Sequence, residues 1–428
     1  MRPVLFAGAR LLDPATRRDE TGGLLVRDGR IADLGPQLTA DTGPTDAEFV
    51  DATGLCLAPG LVDMRVRLGE PGHEHKERFE SGCATAAAGG VTSMACLPDT
   101  IPPIDDPAMV EFVARRARRV RSVKVYPYAA ITKGLAGEQI AELGLLKEAG
   151  AVAFSDADHP VASARLMRRA LQYAGPLDAL IVQHCEEPTL ARGGAMNAGA
   201  IASRLGLAGI PAVTEVMMIE RDLRLVEMTG ARWHAANVTT AAGIEAIRHA
   251  KAAGLRVSCA TTPHHLALNE LEVEGYRTFA KVSPPLRSEA DRRAVVDGLR
   301  DGTIDAIASD HCPQDQDSKR IPFAQAEPGV VGLQTMLPVS LQLVHEGRIG
   351  VLDLLHTMTA APADLLGIDA GRLRIGGPAD LVLFDLEAPW KIDPQQLLSL
   401  SKNTAFEGRL VQGRVLRTLV DGRTVFQH

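Results

Sequence analysis

The chain has 428 residues, 46 basic and 53 acidic side chains, a net charge of -7 and an apolar share of 46%. That length suits one large α/β domain with a smaller companion, and the mild acidity excludes a broad nucleic-acid footprint. No apolar run approaches the ~20 residues needed to cross a bilayer, which argues against a membrane protein.

The opening segment MRPVLFAGAR is broken by glycine and arginine before a signal-peptide core could form. Cys56, Cys83, Cys96, Cys185, Cys259 and Cys312 stand singly, without a C-x-x-C pair. They read as buried thiols of a reducing compartment, so a cytoplasmic protein is expected.

From Val4 to Leu57 the pattern is short strands and turns, with Asp28-Gly29 marking a hairpin; the same texture returns from Arg372, with Asp421-Gly422. Both ends are therefore expected to build one small β-sandwich. Between them, apolar runs of strand length alternate with amphipathic segments of helix length, at 61–67, 91–98, 122–130, 151–156, 179–185, 231–239, 256–263 and 304–312. Most of the helical segments close on a glycine, as in AAAGG, KEAG, QYAG, EMTG, KAAG and LRDG. Eight such units predict an α/β fold, a TIM-type (β/α)8 barrel. The divisions fall at 1–57 and 366–428 for the two parts of the sandwich and 58–365 for the barrel.

In such a barrel the chemistry lies at the C-terminal ends of the strands. Here the runs end in Arg65 and Arg67, Asp99, Asp156, His184, Asn237, His264 and Asp310. Alternation along the first run points residues 65 and 67 the same way. Guanidinium is a donor only and permanently charged, so this pair repels a cation. Asp156, His184 and Asp310 form a mixed N/O set that would suit zinc; the plainer reading is that they pair with one another or with the arginines.

The segments PGLVDMRVRLGEPG, AAAGGVTSMACLPDT, FSDADHPV, QHCEEPTL, TTPHHL, KVSPPLR, IDAIASDHCP and GGPADLVLFDL together resemble dihydroorotases of the cyclic amidohydrolase superfamily. The resemblance spans nearly the whole chain. It implies a barrel in which metal-bound hydroxide opens or closes a dihydropyrimidine ring while an aspartate, here Asp310, shuttles the proton.

Carried over position by position, the same resemblance marks losses. Arg65 and Arg67 stand where the family has two metal-binding histidines, and Asn237 where it has a third. Gly69, Asp99, Ser283 and Gln314 stand where substrate-contacting or site residues would be. Asp156, His184 and Asp310 keep their positions. No metal is expected; any residual zinc would sit on those three. Arg65 and Arg67 are expected to pair with Asp156 and Asp310.

The resemblance implies a non-catalytic dihydroorotase-like subunit of pyrimidine biosynthesis, a structural partner of aspartate carbamoyltransferase, with a homo-oligomer as a further expectation. The alternative is an active zinc-dependent dihydroorotase, converting N-carbamoyl-L-aspartate to dihydroorotate on a reduced metal site. A third reading is a small-molecule sensor whose arginines attract an anion. His264-His265 read as packing residues, the loop pair His73 and His75 as a weak replacement for lost ligands, and Arg115-Arg116-Ala117-Arg118-Arg119 as a solvated helix face.

Overall fold

The computed structural model describes residues 2–428. Eight parallel strands form the barrel sheet. We number them β1 (Leu61–Val66), β2 (Val91–Cys96), β3 (Lys124–Ala129), β4 (Ala153–Phe154), β5 (Leu180–His184), β6 (Arg232–Ala236), β7 (Val257–Thr261) and β8 (Ala306–Ile307). Each lies inside its predicted run, although β4 and β8 are only two residues long. A parallel bridge between Val66 and His311 brings the last run back to the first.

The intervening helices end as their sequences require. Thr240 caps the helix Ala241–Ala252 by accepting from the Gly243 amide, and Gly230 closes Val213–Thr229 in the left-handed region at φ +65°. The QYAG segment differs: Gly175 stays helical at φ -54°, because the chain closes there by continued turns to Leu177 and Asp178.

Inside the barrel many side chains are small, among them Ala95, Ala153, Ala260 and Ala306, with Val62, Met64 and Leu97 packed among them. Between strands and helices a larger core includes Phe79, Phe154, Ile181 and Trp233. The barrel interior is thus packed.

Both termini contribute to a separate eight-stranded sheet, in which Cys56–Pro59 pairs antiparallel with Leu381–Phe384. The strand crossing from this sheet toward the barrel therefore runs two residues past the boundary expected at 57. A core of Phe6, Leu11, Leu24, Ile31, Leu57 and Leu381 holds the two halves together. All six cysteines are free and buried. No helix among the described residues is long and apolar enough to cross a membrane.

Candidate functional site

At the mouth of the barrel β1 delivers two arginines into a group of carboxylates. The Arg65 side chain is 3% exposed; its Nε donates to Asp310 Oδ1 at 2.8 Å and its Nη2 to Asp158 Oδ1. Arg67 donates from Nε to Asp99 Oδ2 at 2.6 Å, and its Nη2 lies 2.6 Å from Asp158 Oδ2. Its Nη1 lies 3.8 Å from Asp310. Two guanidinium charges thus face three carboxylates, with Asp158 bridging the arginines.

The pairing expected with Asp310 is present; the pairing expected with Asp156 is not. Asp156 Oδ1 accepts from the backbone amides of Ile131 at 2.8 Å and Thr132 at 2.9 Å, and its Oδ2 accepts from the Thr132 hydroxyl. It fastens the turn after β3 to the end of β4. Ala157 follows at φ +55°, reversing the chain so that Asp158 enters the mouth instead. Asp158 was missed because strand alternation was followed to residue 156 and no further. The expected pair Asp156 and Asp310 already balanced two guanidinium charges, so the charge count held no signal for a third carboxylate.

Burial opposes ionisation of Asp158, yet the Arg67 and Arg65 charges outweigh it and hold the carboxyl well below its usual range. Arg65 is likewise held above its ordinary value: burial works against its charge, and Asp310 and Asp158 overcome it. Asp310 Oδ2 accepts from Asn237 Nδ2 at 2.9 Å. Below Arg65 the barrel interior leaves about 10 Å³ among Met64, Tyr128, His234 and Asn237, room for about one water. Beneath them Asp63 is fully buried, and burial pushes its carboxyl up to about 6. It accepts from the amides of Arg65 and Ser309.

The other predicted positions are drawn into structural roles. His184 is buried; its Nε2 lies 3.5 Å from Ser283 Oγ, and its Nδ1 has no partner among the described residues. Gln314 donates to the Pro328 carbonyl at 2.9 Å. Gly69 takes φ +65°, and a Cβ there would lie 2.6 Å from the Glu77 carbonyl oxygen and 2.7 Å from that of His73. His265 is held between Thr262 and the Pro284 carbonyl, and burial pushes His264 down to about 3, in keeping with packing roles. His73 borders a mouth cavity of about 300 Å³, while His75 turns toward Asp315 at 3.7 Å.

Zinc is the metal that the resemblance implies, and the residues present do not fit it. Asp310 accepts from Arg65 and Asn237, Asp158 accepts from both arginines, and Asp156 faces the Thr132 hydroxyl. Among the described residues no group of three or more His, Cys, Asp or Glu side chains is arranged to hold a metal ion.

A second buried cluster was also missed. Glu77 and His311 are both fully buried. Because the Gly332 amide donates to His311 Nδ1, Nε2 carries the proton and donates to Glu77 Oε2 at 3.3 Å. Glu77 also accepts from the Ser399 hydroxyl at 2.5 Å and the Leu400 amide at 3.3 Å. This carboxylate ties the 399–402 segment to the barrel mouth.

A family profile described as Dihydro-orotase-like matches residues 54–242, and one described as Amidohydrolase family matches 341–426. The chain is 45% identical to a dihydroorotase of Syntrophotalea carbinolica over 424 residues, 99% of each chain. It is also 45% identical to a dihydroorotase of Geotalea daltonii over 422 residues, again 99% of each. Among solved structures, the L-hydantoinase of Arthrobacter aurescens superposes with a TM-score of 0.89 at 28% identity, covering 100% of this chain and 96% of that one.

Proposed function

The chain belongs to the dihydroorotase family, and from that membership we propose that it is a non-catalytic member, a barrel whose role in pyrimidine synthesis is structural. The observation that carries this reading is Arg65, buried at the centre of the mouth with its donors on Asp310 and Asp158. A family reaction that activates water on a metal needs lone pairs where this chain presents N–H groups. Proton shuttling by Asp310 is opposed as well, since Arg65 and Asn237 engage both of its oxygens. The neutralisation of both arginines by carboxylates counts against the anion-sensor reading.

The partner we propose is aspartate carbamoyltransferase, with the protein working in the cytoplasm. Changes at both metal-ligand and substrate positions, in a barrel whose strands and turns persist, support a scaffold. The alternative, an active enzyme on a reduced site, draws on the full-length likeness to proteins named dihydroorotase and on the unpartnered Nδ1 of buried His184.

A ring-opening assay on dihydroorotate with zinc added, run beside His184→Ala, decides between them. The expected result is no turnover above that control. Turnover abolished by His184→Ala would overturn the proposal. Co-expression with aspartate carbamoyltransferase should give one species on gel filtration, and separate elution would sink the partnership.

A further inference from the structure

The closed end of the barrel carries a feature that neither a dead nor a working mouth explains. A groove of about 420 Å³ opens between the C-terminal end of the helix Pro107–Val120, the start of β3 and the turn before the strand Arg423–Gln427. Four of its lining residues are cationic: Arg118, Arg121, Lys124 and Arg423. Lys124 is neutralised by Asp380 and Asp421, at 2.7 and 2.8 Å. The other three have no carboxylate within ion-pair distance among the described residues.

With Asp380 and Asp421 both set against Lys124, the groove carries a formal +2, in a chain whose net charge is -7. The helix C-terminus contributes about half a negative charge, too little to cancel three guanidinium groups. Arg423 is also positioned, since its Nη1 donates to the Arg121 carbonyl at 3.2 Å, leaving its other N–H groups free to bind. Apolar and aromatic groups, including Val123, Val125 and Tyr126, complete the lining. The volume lies within the range of small-molecule sites, which combine apolar walls with a few convergent polar groups.

We propose that this groove binds an organic phosphate, its phosphoryl oxygens on Arg118, Arg121 and Arg423 and its body against the Val123, Val125 and Tyr126 wall. Guanidinium forks match phosphate geometry and remain charged at every physiological pH. The site joins the barrel to the terminal sheet, and it stands or falls independently of the silent mouth.

The test is calorimetric titration of the full chain with ATP, with inorganic pyrophosphate and with a poly-glutamate peptide, at two salt concentrations. ATP should bind at micromolar to submillimolar strength, weaken as salt rises, and bind more tightly than pyrophosphate. The exposed double variant Arg118→Ala/Arg121→Ala should lose at least about tenfold in affinity, and Arg423→Ala should lose affinity as well. Lys76→Ala, at the opposite mouth, should change nothing. Absence of ATP binding, or binding unaltered by the arginine variants, would overturn the site. Equal affinity for pyrophosphate would overturn the role given to the apolar wall, and preference for the peptide would overturn the ligand class.

Discussion

Replacing Asp310 by Asn tests whether charge, rather than hydrogen bonding, holds the mouth together. Asp310 sits at φ +46°, a left-handed conformation that asparagine adopts about as readily as aspartate. The new amide oxygen can still accept from Arg65 Nε. Its NH₂ would face the Asn237 NH₂, but the Asn237 oxygen lacks a partner, so a flip of that amide restores the bond. What is lost is one negative charge, 2.8 Å from Arg65 and 3.8 Å from Arg67. Breaking a buried ion pair costs about 3–5 kcal/mol; because Arg65 retains Asp158, about 2–3 kcal/mol is expected. Urea unfolding followed by the buried Trp233, in a Trp390→Phe background, measures it. In an Arg65→Met background the same change should cost little or nothing. Equal cost in both backgrounds, or none in either, would refute the argument.

Gly69→Ala should lower the thermal midpoint sharply and Gly69→Arg should abolish soluble expression, since the Cβ meets backbone oxygens at 2.6 and 2.7 Å; a normal midpoint for the alanine variant would show the loop to be free. Arg65→His/Arg67→His/Asn237→His should raise the zinc retained after dialysis, measured by elemental analysis, and an unchanged metal content would mean that more than these ligands blocks the site. Asp63 binds its proton more tightly in the folded chain, where its pKa is about 6, than in the unfolded chain. Its contribution is therefore present below about pH 4 and lost as pH rises through about 6, on the order of 2–3 kcal/mol. Asp63→Asn should flatten that part of the stability profile, and an identical slope in the variant would exclude Asp63 as its source.

The barrel was legible because βα alternation is a periodicity that can be read without any site chemistry. The brevity of β4 and β8 was not, since runs such as 151–156 leave strand geometry where Ser155 accepts from the Ala157 amide and Asp156 turns to bond the loop after β3. At the site, donor chemistry alone indicated that Arg65 and Arg67 would seek carboxylates rather than a cation. Their partners could not be read, because the turn at Ala157 exchanges Asp156 for Asp158, and left-handed backbone at an alanine carries no sequence signature. Glu77 was hidden for another reason: its partners Ser399 and His311 lie 322 and 234 residues away.

The bridging of both arginines by Asp158 also makes the mouth hard to change one residue at a time. Changing Arg65 to histidine first would strip Asp310 and Asp158 of a counter-ion before any metal could replace it. Removing Asp158 first would take from both arginines their shared partner, leaving Arg65 on Asp310 and Arg67 on Asp99. Each single step breaks at least one buried ion pair and so costs stability, which makes the mouth one coupled unit rather than a set of independent positions.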